Sequence, residues 1–155
     1  MEIIMKPKKR IALIAHDNMK DEMLEFVRDN EDILKQHELC GTGTTASIIR
    51  DRVGLEVKRY KSGPMGGDVQ ISGLIAEGDI DIVIFFWDPL SAQPHDPDIR
   101  ALLRIAVLYD VPIATNRSTA YFILNSKFIN SEFRRDVVDH SELMSKRKEE
   151  FEKLK

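Results

Sequence analysis

Six consecutive apolar residues, Ile82 to Trp87, run without a break into a loop rich in turn-forming and ionisable residues. An uninterrupted apolar run of this length, bounded by turn formers, is typical of a strand buried on both faces of a parallel sheet. The loop after such a strand faces the crevice at the carboxyl edge of the sheet. This loop, residues 88–98, carries three carboxylates, one histidine and three prolines: Asp88, Asp96, Asp98, His95, Pro89, Pro94 and Pro97. The prolines predict a stiff loop that holds its polar groups in place.

The rest of the chain alternates predicted strands and helices. Short apolar runs indicate further strands at residues 10–15, 38–41, 55–60 and 111–114. Apolar residues at helical spacing indicate helices at 20–34, 42–53, 68–77, 98–109 and 118–125, and Asp29-Asn30 can interrupt the first of them. This alternation predicts an α/β fold, a three-layer sandwich around a five-stranded parallel sheet, flavodoxin-like or Rossmann-like. We expect a single domain over residues 1–155, with its core at about 10–125 and a tail at about 141–155 that forms an exposed helix or an arm on a partner subunit.

Composition narrows the classes of partner. The chain has 155 residues, 43% of them hydrophobic and 32% charged, with a net charge of −3. These values are typical of a globular domain and do not indicate nucleic acid or membrane as a partner. The single cysteine, Cys40, excludes an internal disulfide, and we interpret it as an inert core residue. The short apolar start precedes its basic residues, the reverse of a secretory signal, so we expect a cytoplasmic protein.

Two glycine-containing turns at the carboxyl edge are suited to a phosphate group. Thr42-Gly43-Thr44-Thr45 combines hydroxyls with the free amides of a helix start, and Ser62-Gly63 opens the second turn. Lys20, about one helical turn beyond His16, can add a positive charge. Each feature alone also has a structural explanation, since a threonine can cap a helix and most lysines are solvated. Two such turns on adjacent strands favour phosphate binding.

Ionisable residues follow the same strand ends. Asp68 stands where the third loop becomes a helix and Asp98 lies in the first turn of the next, so each can have a purely structural role at a helix start. His95 belongs to no apolar stripe, and we favour a functional role for it. The sequence leaves two roles open for His16, a contact with the substrate or a hydrogen-bonded structural pair with Asp17. A metal site is disfavoured, because the sequence has no His-x-x-x-His or facial-triad spacing.

Together these motifs resemble the methylglyoxal synthase family. The resemblance is carried, in order along residues 10–125, by Ala15-His16-Asp17-x-x-Lys20, Thr42-Gly43-Thr44-Thr45, Ser62-Gly63-Pro64-Met65-Gly66-Gly67-Asp68, and Phe86-Trp87-Asp88-Pro89-Leu90 with Pro94-His95-Asp96-Pro97-Asp98. It implies a cofactor-free carbon–oxygen lyase that converts dihydroxyacetone phosphate to methylglyoxal and inorganic phosphate, in a bypass of glycolysis. It also implies a homohexamer with allosteric inhibition by phosphate.

The resemblance further implies roles for individual residues. Asp68 would be the base, His95 a partner in substrate binding and proton transfer, and Asp98 a supporting carboxylate. The substrate would be held, without a metal, by His16, Lys20, Thr42, Gly43, Thr44, Thr45, Ser62, Gly63 and His95. The spacing of the residues alone does not decide whether Asp68 or Asp98 removes the proton.

Two other functions are compatible with the same fold. A non-catalytic module that senses a phosphate ligand, similar to the regulatory domain of carbamoyl phosphate synthetase, needs glycine turns but no base. The presence of both Asp68 and His95 favours the enzyme. A flavodoxin-type electron carrier is the third hypothesis, and it predicts a coloured protein.

Overall fold

A computed structural model describes residues 1–154 and contains seven strands and seven helices. The strands are β1 (Glu2–Met5), β2 (Arg10–Ala15), β3 (Glu38–Thr42), β4 (Lys58–Tyr60), β5 (Ile82–Phe86), β6 (Ile113–Ala114) and β7 (Phe133–Asp136). The helices are α1 (Lys20–Asp29), α2 (Glu31–Leu34), α3 (Gly43–Val53), α4 (Gly67–Ala76), α5 (Asp96–Leu108), α6 (Arg117–Leu124) and α7 (Ser141–Glu152). Short 3-10 turns occupy Asp17–Met19 and Gly63–Met65.

Five parallel strands form the central sheet in the order β4-β3-β2-β5-β6. The predicted α/β fold with a five-stranded parallel sheet is therefore confirmed. The first strand of this sheet, β2, lies at its centre, which is the Rossmann-like order and not the flavodoxin-like one. The chain changes its direction of winding between β2 and β5, so the loops after these two strands diverge and leave a crevice. Every loop that carries a predicted site residue emerges at this edge.

The core lies on both faces of the sheet. Alternate residues of β2 and β5 point to opposite faces, as the pleat requires. Ile11, Leu13 and Phe86 pack with α1, α3 and α6 on one face, while Ile14 and Phe85 pack with α4 and α5 on the other. Every residue of β5 is buried, which confirms the interpretation of the apolar run for Ile82 to Phe86, whereas Trp87 follows the strand and is 37% exposed.

Cys40 lies in the core, as expected. It belongs to β3 and packs among the apolar side chains that face α4 and α5. Burial raises the pKa of its thiol to about 12. A thiol that stays protonated at neutral pH is a poor nucleophile, so this residue serves packing.

Several boundaries differ from the sequence predictions for identifiable reasons. The helix predicted at 20–34 is interrupted at Asn30, the break that Asp29-Asn30 allowed, and the Asn30 side-chain amide donates to the Phe26 carbonyl oxygen. Only Lys58–Tyr60 of the predicted strand at 55–60 pairs with its neighbour. The helix predicted from Asp98 starts at Asp96, because the fixed φ of Pro97 suits a first helical turn.

A second, two-stranded sheet was not predicted. β1 and β7 pair antiparallel, with Met5 opposite Phe133. The strand β7 reads Phe-Arg-Arg-Asp, and its charges hide the apolar alternation by which strands are recognised. Arg135 of β7 is nevertheless buried, and its guanidinium donates to the Tyr109 carbonyl oxygen at 2.6 Å.

The tail forms α7, a helix with no buried residue. This agrees with the first of the two predictions for the tail, an exposed helix. Lys155, the last residue of the predicted tail, lies outside the described residues. No helix within residues 1–154 combines the length and apolar character needed to cross a membrane.

Candidate active site

A cavity of about 290 Å³, here called the site cavity, lies at the carboxyl edge of the central sheet. The loops after β2, β3, β4 and β5 enclose it. Its lining includes every predicted site residue except Gly43 and Asp98. The lining residues are Ile14, Ala15, His16, Asp17, Lys20, Thr42, Thr44, Thr45, Ser62, Gly63, Pro64, Asp68, Gln93 and His95.

Gly43 brings the two glycine-containing turns into contact. It adopts a φ of +38°, and a β-carbon there would lie 2.6 Å from Ser62 Cα. Its amide also donates to the Lys61 carbonyl oxygen at 3.1 Å. Any other residue would force the turns apart, since such close approach of two backbones needs a glycine.

The threonine turn opens α3 with unused donors. Thr42 precedes the helix in an extended conformation, and its side chain makes no capping hydrogen bond. The capping explanation for this threonine is therefore wrong. The amides of Thr44 and Thr45 lie in the first helical turn, where no carbonyl of the same helix can accept from them. Together with the hydroxyls that line the site cavity, they form a site suited to an anion.

Lys20 is the first residue of α1 and part of the cavity wall. Its Nζ donates to the Ala15 carbonyl oxygen at 2.7 Å and lies 3.5 Å from Thr45 Oγ1. It also lies 3.3 Å from the Asp17 carboxylate. The side chain is thus folded onto the end of β2, and the alternative of an ordinary solvated helix lysine is wrong.

Asp68 is buried without a hydrogen-bond partner. It is the second residue of α4 and only 1% exposed, and neither carboxylate oxygen has a partner among the described residues. His95 Nε2 lies 3.5 Å from Oδ2. Asp68 does not cap its helix, because neither of its carboxylate oxygens accepts a hydrogen bond from the amides that begin α4. A buried polar group that is left unpaired in this way points to a functional role.

The environment of Asp68 makes its carboxylate more basic. Burial raises the pKa of this carboxyl above its ordinary value, while His95 opposes that rise and the like charge of Asp98 adds to it. Asp98 itself is half-buried in the first turn of α5 and does not line the site cavity. The structure therefore distinguishes the two carboxylates: Asp68 faces the cavity, and Asp98 influences it through charge.

His95 closes the site from the loop after β5. It is buried at the residue preceding α5, and its Nδ1 has no partner among the described residues. A β-carbon at Gly63 would lie 2.5 Å from its Nε2, so the imidazole is packed directly on the second glycine turn. This contact explains why the turn needs a glycine at that position.

His16 is oriented by the loop after β5 and not by Asp17. Its Nδ1 accepts a hydrogen bond from the Asp88 backbone amide at 3.0 Å, and its ring lies edge-to-face with His95 at 5.8 Å between centroids. The alternative of a structural pair with Asp17 is therefore wrong. Burial, followed by the nearby His95 and Lys20, lowers the pKa of His16, so that the neutral imidazole is favoured.

Some residues of the site were missed by sequence reasoning. Gln93 and Pro64 line the site cavity, and Asn18 donates to the Asp88 carboxylate. Pro64 lies within a recognised motif and Gln93 within the recognised loop 88–98, so their positions in these loops were the available signal. The contact between Asn18 and Asp88 joins two loops and leaves no signal in either one.

No group of three or more His, Cys, Asp or Glu residues within 1–154 is arranged to hold a metal ion. A larger groove of about 1350 Å³ lies toward the amino ends of β2, β3 and β4. It mixes basic and acidic side chains and contains none of the predicted site residues. We place the functional site in the smaller cavity, because that cavity combines buried, unpartnered ionisable groups with an anion-binding helix start.

Comparison with known proteins identifies relatives of this chain in sequence and in fold. A family model described as an MGS-like domain matches residues 22–115. A methylglyoxal synthase of Clostridium acetobutylicum is 54% identical over 142 residues, which cover 92% of this chain and 98% of the relative. A methylglyoxal synthase of Vibrio campbellii is 49% identical over 92% of this chain and 95% of the relative. The crystal structure of methylglyoxal synthase from Elizabethkingia anophelis superimposes with a TM-score of 0.88 at 43% identity, over 93% of this chain and 95% of that one.

Proposed function

The chain belongs to the methylglyoxal synthase family, and we propose that its lyase reaction, dihydroxyacetone phosphate to methylglyoxal and inorganic phosphate, takes place in the site cavity with Asp68 as the base. One observation carries this assignment. Asp68 is a buried carboxylate without a hydrogen-bond partner among the described residues, and it faces the same cavity as the threonine turn and Lys20. A base and an anion site in one cavity are what the reaction needs.

The first step is removal of a proton from the hydroxyl-bearing carbon next to the substrate carbonyl. Asp68 accepts that proton, and the electron pair moves onto the carbonyl oxygen to form an enediolate. Burial supports this role, because a carboxyl group with a raised pKa is a stronger base than an exposed one. The proximity of His95, 3.5 Å from the carboxylate, places a donor where negative charge develops.

The second step is loss of phosphate from the enediolate. A proton first moves from the hydroxyl on the deprotonated carbon to the former carbonyl oxygen. The electron pair left on the hydroxyl oxygen then forms an aldehyde carbonyl, the carbon–carbon double bond shifts toward the phosphate-bearing carbon, and the carbon–oxygen bond to phosphate breaks. This requires the breaking bond to stand across the plane of the enediolate, aligned with its π electrons. The resulting enol takes up a proton at its terminal carbon and becomes methylglyoxal.

Anchoring of the phosphate decides between this elimination and a simple isomerisation. We assign the phosphate to the amides of Thr44 and Thr45 and the hydroxyls of Thr42, Thr44 and Ser62, with Lys20 nearby. The Thr45 hydroxyl is already bonded to the Ala15 backbone. A phosphate fixed by several donors at two touching turns holds its ester bond at one torsion angle. The same donors stabilise the departing dianion.

The decisive experiment adds dihydroxyacetone phosphate to the purified protein and measures released phosphate together with a dicarbonyl product. We expect both in equal amounts, without added metal or cofactor. Formation of glyceraldehyde 3-phosphate instead would indicate an isomerase. Binding of the substrate without turnover would indicate a sensor.

We also propose a cytoplasmic homohexamer that phosphate inhibits allosterically, as the family resemblance implies. Exposed apolar side chains support self-association: Phe122 of α6 is 81% exposed and Val107 of α5 is 77% exposed. Light scattering coupled to gel filtration tests the oligomeric state. Turnover measured at increasing phosphate concentration tests the inhibition.

A further inference from the structure

The His16 imidazole is held by the segment after β5 in a way that defines its tautomer. The backbone amide of His16 donates to the Phe86 carbonyl oxygen at 3.2 Å, and the Asp88 amide donates to His16 Nδ1 at 3.0 Å. A backbone amide can only donate, so the Nδ1 facing it carries a lone pair. In a neutral imidazole the proton then lies on Nε2.

The opposite end of the ring is directed to the ligand. His16 lines the site cavity, and its buried Nε2 has no hydrogen-bond partner among the described residues. A buried donor left unpaired by the protein costs stability, and that cost is recovered when a ligand oxygen accepts from it.

The charges around His16 also keep it neutral. The cationic Lys20 and the His95 imidazole lower its pKa together with burial, while the carboxylates of Asp88 and Asp17 act in the opposite direction without overcoming them. Geometry leads to the same result. A proton added at Nδ1 would meet the Asp88 amide, donor against donor, and would break that hydrogen bond.

Asn18 fixes the residue that supplies this amide. Asn18 lies two positions after His16, and its Nδ2 donates to Asp88 Oδ2 at 2.9 Å. The other oxygen, Oδ1, accepts from the Leu90 amide at 3.0 Å. The Asp88 carboxylate is therefore held from both loops that flank the crevice, the one after β2 and the one after β5.

We propose that His16 is a neutral Nε2–H donor to an oxygen of the substrate, and that Asn18 and Asp88 are positioning residues that fix this tautomer and direct it into the site cavity. The identity of the ligand rests on the proposed function, whereas the tautomer is a property of the free protein. A neutral donor stabilises an enediolate oxygen without an added charge in the buried site, and it does so only when its N–H is oriented beforehand.

The tautomer is tested by nitrogen NMR of protein labelled with ¹⁵N at its histidines. Loss of one signal set in His16→Gln assigns the resonances. We expect the Nε2–H form of His16 with no titration between about pH 6 and 8. An Nδ1–H form, or an imidazolium at neutral pH, would overturn the proposal.

The positioning role is tested with Asn18→Ala, in which we expect a mixture of His16 tautomers. We also expect a fall of about tenfold in kcat, as the loss of one oriented hydrogen bond predicts, with KM changed less than about twofold. The paired exchange Asn18→Asp with Asp88→Asn keeps a donor and an acceptor at this contact, and we expect it to restore most of the lost kcat. Asn125→Ala removes an exposed amide contact at the residue that follows α6 and serves as the matched control.

Unchanged tautomer and kcat in a folded Asn18→Ala would refute the positioning role. If Asn18→Ala does not give the dispersed NMR spectrum of a folded protein, Asn18→Ser is measured in its place. The His16 tautomer and kcat of that variant then decide the positioning role. Absence of methylglyoxal formation by the unmodified protein would refute the proposed function alone, because the NMR measurement still decides the tautomer and its dependence on Asn18.

Discussion

His95 Nε2 and Asp68 Oδ2 lie 3.5 Å apart, and both residues line the site cavity. Asp68 comes from the start of α4 and His95 from the loop before α5, which are separated by the whole of β5 and its flanking loops. The contact lowers the pKa of Asp68 against the larger effect of burial, yet the pair forms no aligned hydrogen bond. Both groups thus remain available to a ligand, and this availability has measurable consequences.

Replacement of Asp68 by asparagine separates catalysis from stability. We expect Asp68→Asn to abolish turnover while phosphate-analogue binding is largely retained, because the amide cannot accept the substrate proton. We also expect the free energy of unfolding to rise by about 1 kcal/mol, since a buried, unpaired carboxylate is costly and the amide carries no charge. Steady-state kinetics and urea denaturation measure the two effects.

Asp96→Asn is the matched control for this change. Asp96 pairs with Arg100 on the exposed side of α5, so the same acid-to-amide substitution there should leave turnover intact. Near-normal turnover in Asp68→Asn would remove Asp68 from the role of base and direct attention to Asp98.

Replacement of His95 should affect the chemical step. His95→Gln keeps a polar side chain of similar length but cannot shuttle a proton as an imidazole can, and we expect kcat to fall by about 10² to 10⁴. His140→Gln, at an exposed position, is the control. A His95→Gln variant with the normal rate would show that the histidine only packs on the second glycine turn.

The sequence predicted most of this arrangement because its signals are local. The apolar run of β5 and the glycine turns each lie within one short segment, and the parallel topology brings their ends to one edge. The hydrogen bond between Asn18 and Asp88 joins residues 70 positions apart, and no pattern within either loop indicates it. The pairing of β1 with β7 was missed for the same reason, since its charged strand gains its partner only in the folded chain.

Lys20 should contribute mainly to substrate affinity. Its ammonium lies beside Thr45 at the proposed phosphate position, and a charge-assisted hydrogen bond to a phosphate is worth about 1.5 to 3 kcal/mol. We therefore expect Lys20→Ala to raise KM by about 10- to 100-fold, as initial rates at varied substrate concentration would measure. Lys35→Ala removes an exposed lysine paired with Asp32 and provides the comparison. An unaltered KM in Lys20→Ala would place this residue outside the binding site.

Gly63 and Gly73 offer a matched pair of glycine substitutions. A methyl group at Gly63 would meet the His95 imidazole, so Gly63→Ala should displace that ring and reduce kcat by at least about tenfold. Gly73 lies inside α4 with nothing within 4 Å of the added carbon. Gly73→Ala should keep its activity and gain about 0.5 to 1 kcal/mol of stability from helix propensity. Equal activity of the two variants would mean that His95 need not hold its position.

The stability of the protein should fall when the pH drops below about 6.5, the ordinary pKa of histidine. His37 is buried and its Nδ1 accepts from the Lys9 amide at 2.9 Å, and burial, with a smaller effect of Lys9, lowers its pKa. In the unfolded chain this histidine takes up a proton at about pH 6.5, whereas in the folded protein it stays neutral to a lower pH. The unfolded state then binds more protons, so acidification favours unfolding by at most about 1.4 kcal/mol per pH unit for one histidine. The contribution of His37 to stability is fully retained above the pKa that this histidine has in the unfolded chain.

Urea denaturation between about pH 5 and 7.5 measures this dependence. His37→Gln keeps an acceptor for the Lys9 amide and cannot titrate, so we expect a shallower loss of stability at acid pH than in the unmodified protein. His140→Gln changes an exposed histidine and should leave the slope as it was. The lowered pKa of His16 acts in the same direction, so the slope in His37→Gln should decrease without vanishing. A His37→Gln variant with an unchanged slope would show that His37 takes up its proton equally in the folded and unfolded chains.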